Sequence, residues 1–333
     1  MTPAPGEPLP VRCHVVTGKG GTGKTTVAAA LALSLAADGR HVLLVETEGR
    51  QGIAQLFDTP PLPYEERRVA VARGGGEVKA LAIDVEAAFL EYLDMFYNLK
   101  RAGRALRKMG AIDFATAIAP GLRDVLLTGK IKEAVTRRHD GRFVYDAVVV
   151  DAPPTGRITR FLNVTGEVAG LARSGPIKAQ SDGVMAVFRS GTTAVHLVTL
   201  LEDMPVQETA DAIADLTAAR LPVGSVIVNM AAEPLLPAAS LSRTAEGRLT
   251  GADLLPALTA ASVHGAAEVA DGLAAEAVEH AQRWVAQDAL RGDVEALGRP
   301  VVELPLSVTP IDLGTLFELA ERLEALLATE AAA

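Results

Sequence analysis

The 333-residue sequence has one cysteine, one tryptophan and only 4% aromatic residues. With Cys13 alone, no disulfide closes within the chain, and no cysteine metal cage or iron–sulfur cluster forms in one subunit. Cys13 lies in an apolar run and is expected to be a buried core residue. No apolar run approaches the ~20 residues that cross a bilayer. Residues 1–10 read as a disordered, Pro-rich tail rather than a secretion signal. Both features point to a cytoplasmic protein, at most peripheral to a membrane. An excess of positive charge is missing too. The 32 Lys+Arg against 41 Asp+Glu give a net −9, so the whole chain is not a polycation built for nucleic acid. The balance reverses across Lys100–Arg142, with 11 basic and 4 acidic side chains, a solvated helix face or a partner surface. Lysine is scarce, 8 against 24 arginines, yet Lys19 and Lys24 lie five positions apart. Retention of lysine there points to a need for a compact ammonium.

Short apolar runs alternate with helical patterns along most of the chain. Val11–Thr17, His41–Glu46, Val78–Ile83, Tyr145–Asp151, Ala194–Leu200, Gly224–Asn229 and Val301–Leu304 read as strands. Helices are expected over Lys24–Ala37, Val206–Ala219, Ala266–Leu290 and Leu313–Leu327. Near-continuous apolar strands separated by helices predict an α/β fold, a doubly wound, mostly parallel sheet covered on both faces. The rhythm breaks at Val85–Arg138, which has no good strand. Val85, Phe89, Tyr92, Phe96 and Leu99 recur at helical steps there, and Leu122–Arg138 resumes a helical pattern after Pro120-Gly121. The reading is a single domain over 11–330, with a helical subdomain inserted at about 85–138 and 162–192.

Gly18-Lys19-Gly20-Gly21-Thr22-Gly23-Lys24-Thr25 matches the phosphate-loop pattern G-x-x-x-x-G-K-[ST] in full. A strand precedes it and an Ala-rich helix follows, as the motif requires. Glycines let backbone N–H groups approach a phosphate that a Cβ would hold off. Lys24 is then expected to neutralise β/γ oxygens and the Thr25 hydroxyl to ligate Mg²⁺, with Gly18 through Thr26 forming the cradle. Glu46-Thr47-Glu48-Gly49 ends the second strand, and carboxylates at that edge face the ligand crevice of an open α/β sheet. Either one suits orienting a water or holding the metal. Asp151 ends the YDAVVVD strand as a carboxylate for the metal's water shell, and Pro153-Pro154-Thr155-Gly156 follows as a phosphate-sensing switch.

Together, KGGTGKTT, the ETEG loop and DAPPTGRITRFL resemble the arsenite-pump ATPase (ArsA) family, which includes the tail-anchored-protein targeting ATPases of the guided-entry pathway. The resemblance runs from about Val11 to Leu327. It implies a P-loop ATPase of the signature-lysine (deviant Walker A) class that uses ATP and Mg²⁺ and works as a dimer. In that class the lysine matching Lys19 reaches across to the nucleotide of the other subunit. The family's catalytic aspartate corresponds to Glu48, its adenine-contacting asparagine to Asn229, and its last adenine-side loop to Leu304-Pro305-Leu306. The catalytic set implied is Lys19, Lys24 and Glu48. The metal set is Thr25, Glu48 and Asp151. The nucleotide set is Gly18, Gly20, Gly21, Thr22, Gly23, Lys24, Thr25, Thr26, Asn229 and Pro305. The helical insertion sits where the family carries its cargo-facing subdomain, so the cargo is expected to be a protein partner.

The departures are specific. The family's Pro-Ala-His after the catalytic aspartate is lost, and Glu48 is longer by one methylene, which predicts slower turnover. Arg157 stands where the family has a switch histidine. No CxxC exists for a zinc-bridged dimer, and one cysteine does not make the pump's thiol triad. The pattern is most similar to a bacterial, actinobacterial-like subgroup described as anion-transporting ATPases, which implies a homodimer or a heterodimer with a paralogous ATPase. A nucleotide-binding scaffold with weak hydrolysis is the first alternative. A MinD/ParA-like positioning ATPase is the second, disfavoured by Glu318, Glu321 and Glu324 against Arg322 alone in the last helix, which anionic lipid repels. DNA is disfavoured as a partner, since the DAPPTG…RFL motif is not of the ParA type.

Overall fold

The computed structural model describes residues 9–97, 121–164 and 176–330. An eight-stranded sheet forms the centre, in the order β10-β9-β8-β1-β7-β2-β4-β3. Its strands are β1 (Cys13–Gly18), β2 (His41–Glu46), β3 (Arg67–Val71), β4 (Glu77–Ala82), β7 (Ala147–Asp151), β8 (Thr193–Thr199), β9 (Val223–Ala231) and β10 (Val301–Pro305). All neighbours are parallel except β3, which pairs antiparallel with β4 at one edge. The short β5 (Arg138–His139) and β6 (Arg142–Phe143) make a separate hairpin.

Side chains alternate between the two faces, so each strand feeds two cores. Cys13, Val15, Leu43, Val45, Val148 and Val150 face one core. There they meet α3 (Val85–Tyr97), α4 (Leu122–Thr136), α5 (Thr155–Leu162), α6 (Pro176–Phe188) and α7 (Asp203–Ala218). Val16, Val42, Leu44 and Val149 face the other. That core is covered by α1 (Lys24–Leu35), α2 (Gly52–Leu56) and α11 (Leu313–Glu330). Every residue of α1 from Val27 to Leu35 is buried, because the helix is sandwiched between the sheet and α11. Cys13 is fully buried, and burial pushes its thiol up to about 12. The thiol is therefore held protonated and inert.

Leu316, Leu319, Ala320 and Leu323 of α11 are all buried, so its apolar face is occupied within the fold and is not offered to lipid. Among the described residues, no helix is long and apolar enough to cross a membrane.

One expectation needs correction, and three elements were not anticipated. The tail does not run through residue 10, since Leu9 is buried in the same core cluster as residues of α1 and α11. Between β9 and β10 the helix expected over Ala266–Leu290 is present as the 31-residue α10 (Ala266–Ala296), and two unanticipated helices precede it, α8 (Ala238–Ala245) and α9 (Gly251–Ala260). A capping box of Thr250 and Asp253 starts α9. The edge strand β3 was not anticipated either. The inserted helices α3, α4 and α6 do pack together on the sheet, while 98–120 and 165–175, including Leu99, Pro120 and the basic residues from Lys100 to Lys108, lie outside the described residues. Two members of the basic run are paired with carboxylates. Arg137 makes paired bonds to Glu66 and Glu133, and Lys130 bonds Glu91 at 2.9 Å.

A buried histidine pair bridges β1 and β8. His14 and His196 stack with ring centroids 5.4 Å apart, and His14 Nδ1 lies 3.1 Å from His196 Nε2. His196 Nδ1 accepts from the Ser225 N–H, so its Nε2 carries the proton and donates to His14, whose Nε2–H donates to the Val11 carbonyl. All four ring nitrogens are engaged with both rings neutral. Burial lowers the His196 pKa from 6.5 to about 4. The unfolded chain therefore takes up a proton between these values that the folded chain refuses. Stability is expected to be full above pH 6.5 and to fall by about 3 kcal/mol on acidification to pH 4. Urea unfolding at pH 7 and 4.5 should show a shallower fall in His196→Gln than in the native chain, and equal slopes would remove His196 as the cause.

Candidate active site

The order of strands reverses around β1, which lies between β7 and β8. Ligands bind at such a switch point, beyond the carboxyl ends of the strands. The phosphate loop leaves β1 there. Gly18 is pressed against β8, where a Cβ would run into the Val198 carbonyl, and Gly21 and Gly23 adopt φ of +90° and +82°, which L side chains resist. Gly23 is also the cap from which α1 starts at Lys24. Its missing side chain makes room for Asn229, whose Nδ2 donates to the Thr22 carbonyl at 2.9 Å. Asn229 is thereby brought to the loop from β9, two strands away. Pro305 lies further out, opposite Ala231 on the edge strand β10.

Two lysines flank the turn. Lys24 Nζ curls back over the loop and donates to the Lys19 carbonyl at 3.2 Å. Burial lowers its pKa, opposed by the carboxylates of Asp151 and Glu48. Lys19 points the other way, and its Nζ is 2.8 Å from Glu208 Oε1 on α7. Thr26, on the first turn of α1, is half-buried.

Asp151 ends β7 beside this loop. Its Oδ2 accepts from Thr25 Oγ1 at 2.7 Å, and its carbonyl accepts from Thr47 Oγ1 at 2.7 Å. Burial raises its carboxyl to about 6, against the lowering effect of Thr25 and Lys24. Thr17 Oγ1 donates to the Pro153 carbonyl, tying the end of β1 to the Pro-Pro switch.

The two carboxylates after β2 have separated roles. Glu46 is buried and turned back to accept from the backbone N–H groups of Gln51 (2.5 Å) and Ile53 (3.3 Å), which fastens the start of α2. It is removed from candidacy as a water-orienting group. Glu48 stays half-buried at the crevice, 3.7 Å from Arg157 and 3.5 Å from Arg50. Glu208 was missed by the sequence reading, as no motif contains it and it occupies an ordinary polar position on a helix.

The chain aligns with an ATPase of Mycobacterium tuberculosis named ATPase BagA at 58% identity over 314 residues, 94% of this chain and 92% of that protein. The family model described as anion-transporting ATPase matches residues 11–173, which contain the phosphate loop, Glu48 and Asp151. The chain belongs to the ArsA-type anion-transporting ATPase family. More distant relatives of this ArsA-type chain cover parts of it. An arsenical pump-driving ATPase of Acidiphilium multivorum is 29% identical over 203 residues, 56% of this chain and 31% of that one. The ATPase GET3 of Lachancea thermotolerans is 27% identical over 251 residues, 64% of this chain and 70% of that one.

Proposed function

We propose that this ArsA-type chain is a dimeric, Mg²⁺-dependent ATP hydrolase whose nucleotide cycle changes its shape toward a protein partner. The observation that carries this reading is the 2.7 Å contact between Thr25 Oγ1 and Asp151 Oδ2, at the foot of a glycine loop and beside Lys24. Two hard oxygen donors in contact, under a phosphate cradle, fit Mg²⁺, which keeps several waters and takes few protein ligands. Thr25 and Asp151 would hold it, with Glu48 near its water shell, and a metal there would neutralise charge on the phosphate oxygens. Backbone N–H groups of Gly20 to Thr26 and the N-terminus of α1 bind the phosphates. Lys24 neutralises the β/γ oxygens. Asn229 and Pro305 lie on the adenine side. Glu48 orients the attacking water, and Lys19 stabilises phosphate charge in the opposite subunit of a homodimer or of a heterodimer with a paralogous ATPase. Arsenite is not supported as a substrate, since Cys13 is the single thiol and is buried.

Mg²⁺-ATPase turnover of the purified protein tests this reading, alone and mixed with any co-purifying paralogue. Lys19→Ala is expected to abolish turnover and to leave ATP binding in place. Unchanged turnover in that variant would end the trans mechanism. A second reading has one observation in its favour: Glu48 is engaged by Arg157 and Arg50 rather than free. The chain would then be a nucleotide-binding scaffold with weak hydrolysis beside a catalytic paralogue, and ATP binding without turnover in any mixture would establish it.

A further inference from the structure

One charged group at this crevice has no part in the mechanism above. Glu208 lies on α7, outside every loop that surrounds the proposed phosphate position. Its two oxygens engage two of those loops at once. Oε1 is 2.8 Å from Lys19 Nζ, and Oε2 is 3.5 Å from the hydroxyl of Thr155, the first residue of α5. The Lys19 and Glu208 side chains are only 29% and 37% exposed, so the pair is more shielded than a surface ion pair. α7 also packs against α5 and against the long helix α10.

Lys19 carries one compact ammonium. It serves Glu208 or a phosphate, and not both at full strength. A triphosphate offers several negative oxygens against one carboxylate, so it wins the competition, but the broken pair is subtracted from its binding. When Lys19 leaves, Glu208 keeps only the Thr155 hydroxyl among these two contacts. The carboxylate therefore senses both the phosphate loop and the switch helix.

We propose that Glu208 is a positioning residue that parks Lys19 on α7 in the nucleotide-free protein and surrenders it when ATP enters. This rests on the ATP-site reading and deepens it. α7 then reports occupancy of the site, because the only change it needs is loss of the Lys19 contact. The neutral variant Glu208→Gln keeps the size of the side chain and a partner for Thr155 while removing the charge that holds Lys19.

The test is equilibrium binding of a non-hydrolysable ATP analogue, with Mg²⁺, to the full chain in four forms: native, Glu208→Gln, Lys19→Ala and the double variant. Glu208→Gln is expected to tighten binding about two- to fivefold when Lys19 is present, the range for a partly exposed ion pair. In the Lys19→Ala background it should change nothing. Turnover of Glu208→Gln with Lys19 present should show a lower KM for ATP and an undiminished kcat. An equal change in both backgrounds would make Glu208 a structural residue and overturn the proposal, as would weaker binding or a lowered kcat in Glu208→Gln alone. Failure of the native chain to bind the analogue overturns the ATP-site reading itself. Binding without turnover overturns hydrolysis alone, and the four binding constants still decide the role of Glu208.

Discussion

Lys24→Ala is expected to lower ATP turnover by on the order of 10³-fold, the scale on which one pre-placed charge acts on a developing phosphate charge. The expectation follows from how Lys24 is held. It starts α1, it is partly desolvated, and its ammonium already spans the loop to the Lys19 carbonyl at 3.2 Å, the region a phosphate would enter. Its lowered pKa reports burial, opposed by Asp151 and Glu48, so it is a cation kept in a drier place than the surface. A charge there acts with less screening than in water. Lys24→Arg should fail nearly as badly, because a planar fork does not fold into a tight turn as a point ammonium does. Phosphate release measured with saturating ATP checks both. A loss of less than tenfold in Lys24→Ala would take the residue out of the phosphate cradle.

Glu48→Gln is expected to lower kcat by about 10²-fold or more, with ATP affinity little changed, since a residue that handles the attacking water acts on the reaction rather than on binding. The geometry singles out Glu48 over its neighbour. Glu46 is committed to the backbone of Gln51 and Ile53, whereas Glu48 faces the crevice in weaker pairs with Arg157 and Arg50, at 3.7 and 3.5 Å. Those pairs restrain the carboxylate, so Arg157→Ala should change kcat through Glu48 and have no further effect in Glu48→Gln. Glu48→Asp tests the extra methylene directly and should keep turnover within about tenfold of native, because the carboxylate is retained. Native turnover in Glu48→Gln would reassign the water-handling role and leave Asp151 as the nearest carboxylate.

The parallel strands were legible because their side chains are buried on both faces, which demands continuous β-branched runs such as Val148-Val149-Val150. β3 was not, as RRVAV is an edge strand with most positions exposed and carries no such run. α8 and α9 were hidden for a related reason. They are short and lie at the outside of the fold with most positions exposed, and Pro256 sits inside α9. Within the site, the loop, Asp151 and Thr25 could be read because one chemistry requires those residue types at that spacing. The choice of Glu48 over Glu46 came from the family resemblance and not from residue chemistry, since both flank Thr47 and only the backbone turn into α2 captures Glu46. Glu208 left no trace, because its relation to Lys19 is made by the packing of α7 against the sheet and spans 189 positions in the chain.

The cover that α11 lays over α1 has a consequence for how the molecule comes into being. α1 begins at residue 24 and α11 at residue 313, so the helix carrying Lys24 and Thr25 is made well before the helix that covers it. On the ribosome, Leu31 and Leu35 emerge long before Leu316 and Leu323 exist to bury them. The growing chain thus carries an apolar strip beside a glycine loop until α11 follows. The core around that loop is complete only once α11 has been made.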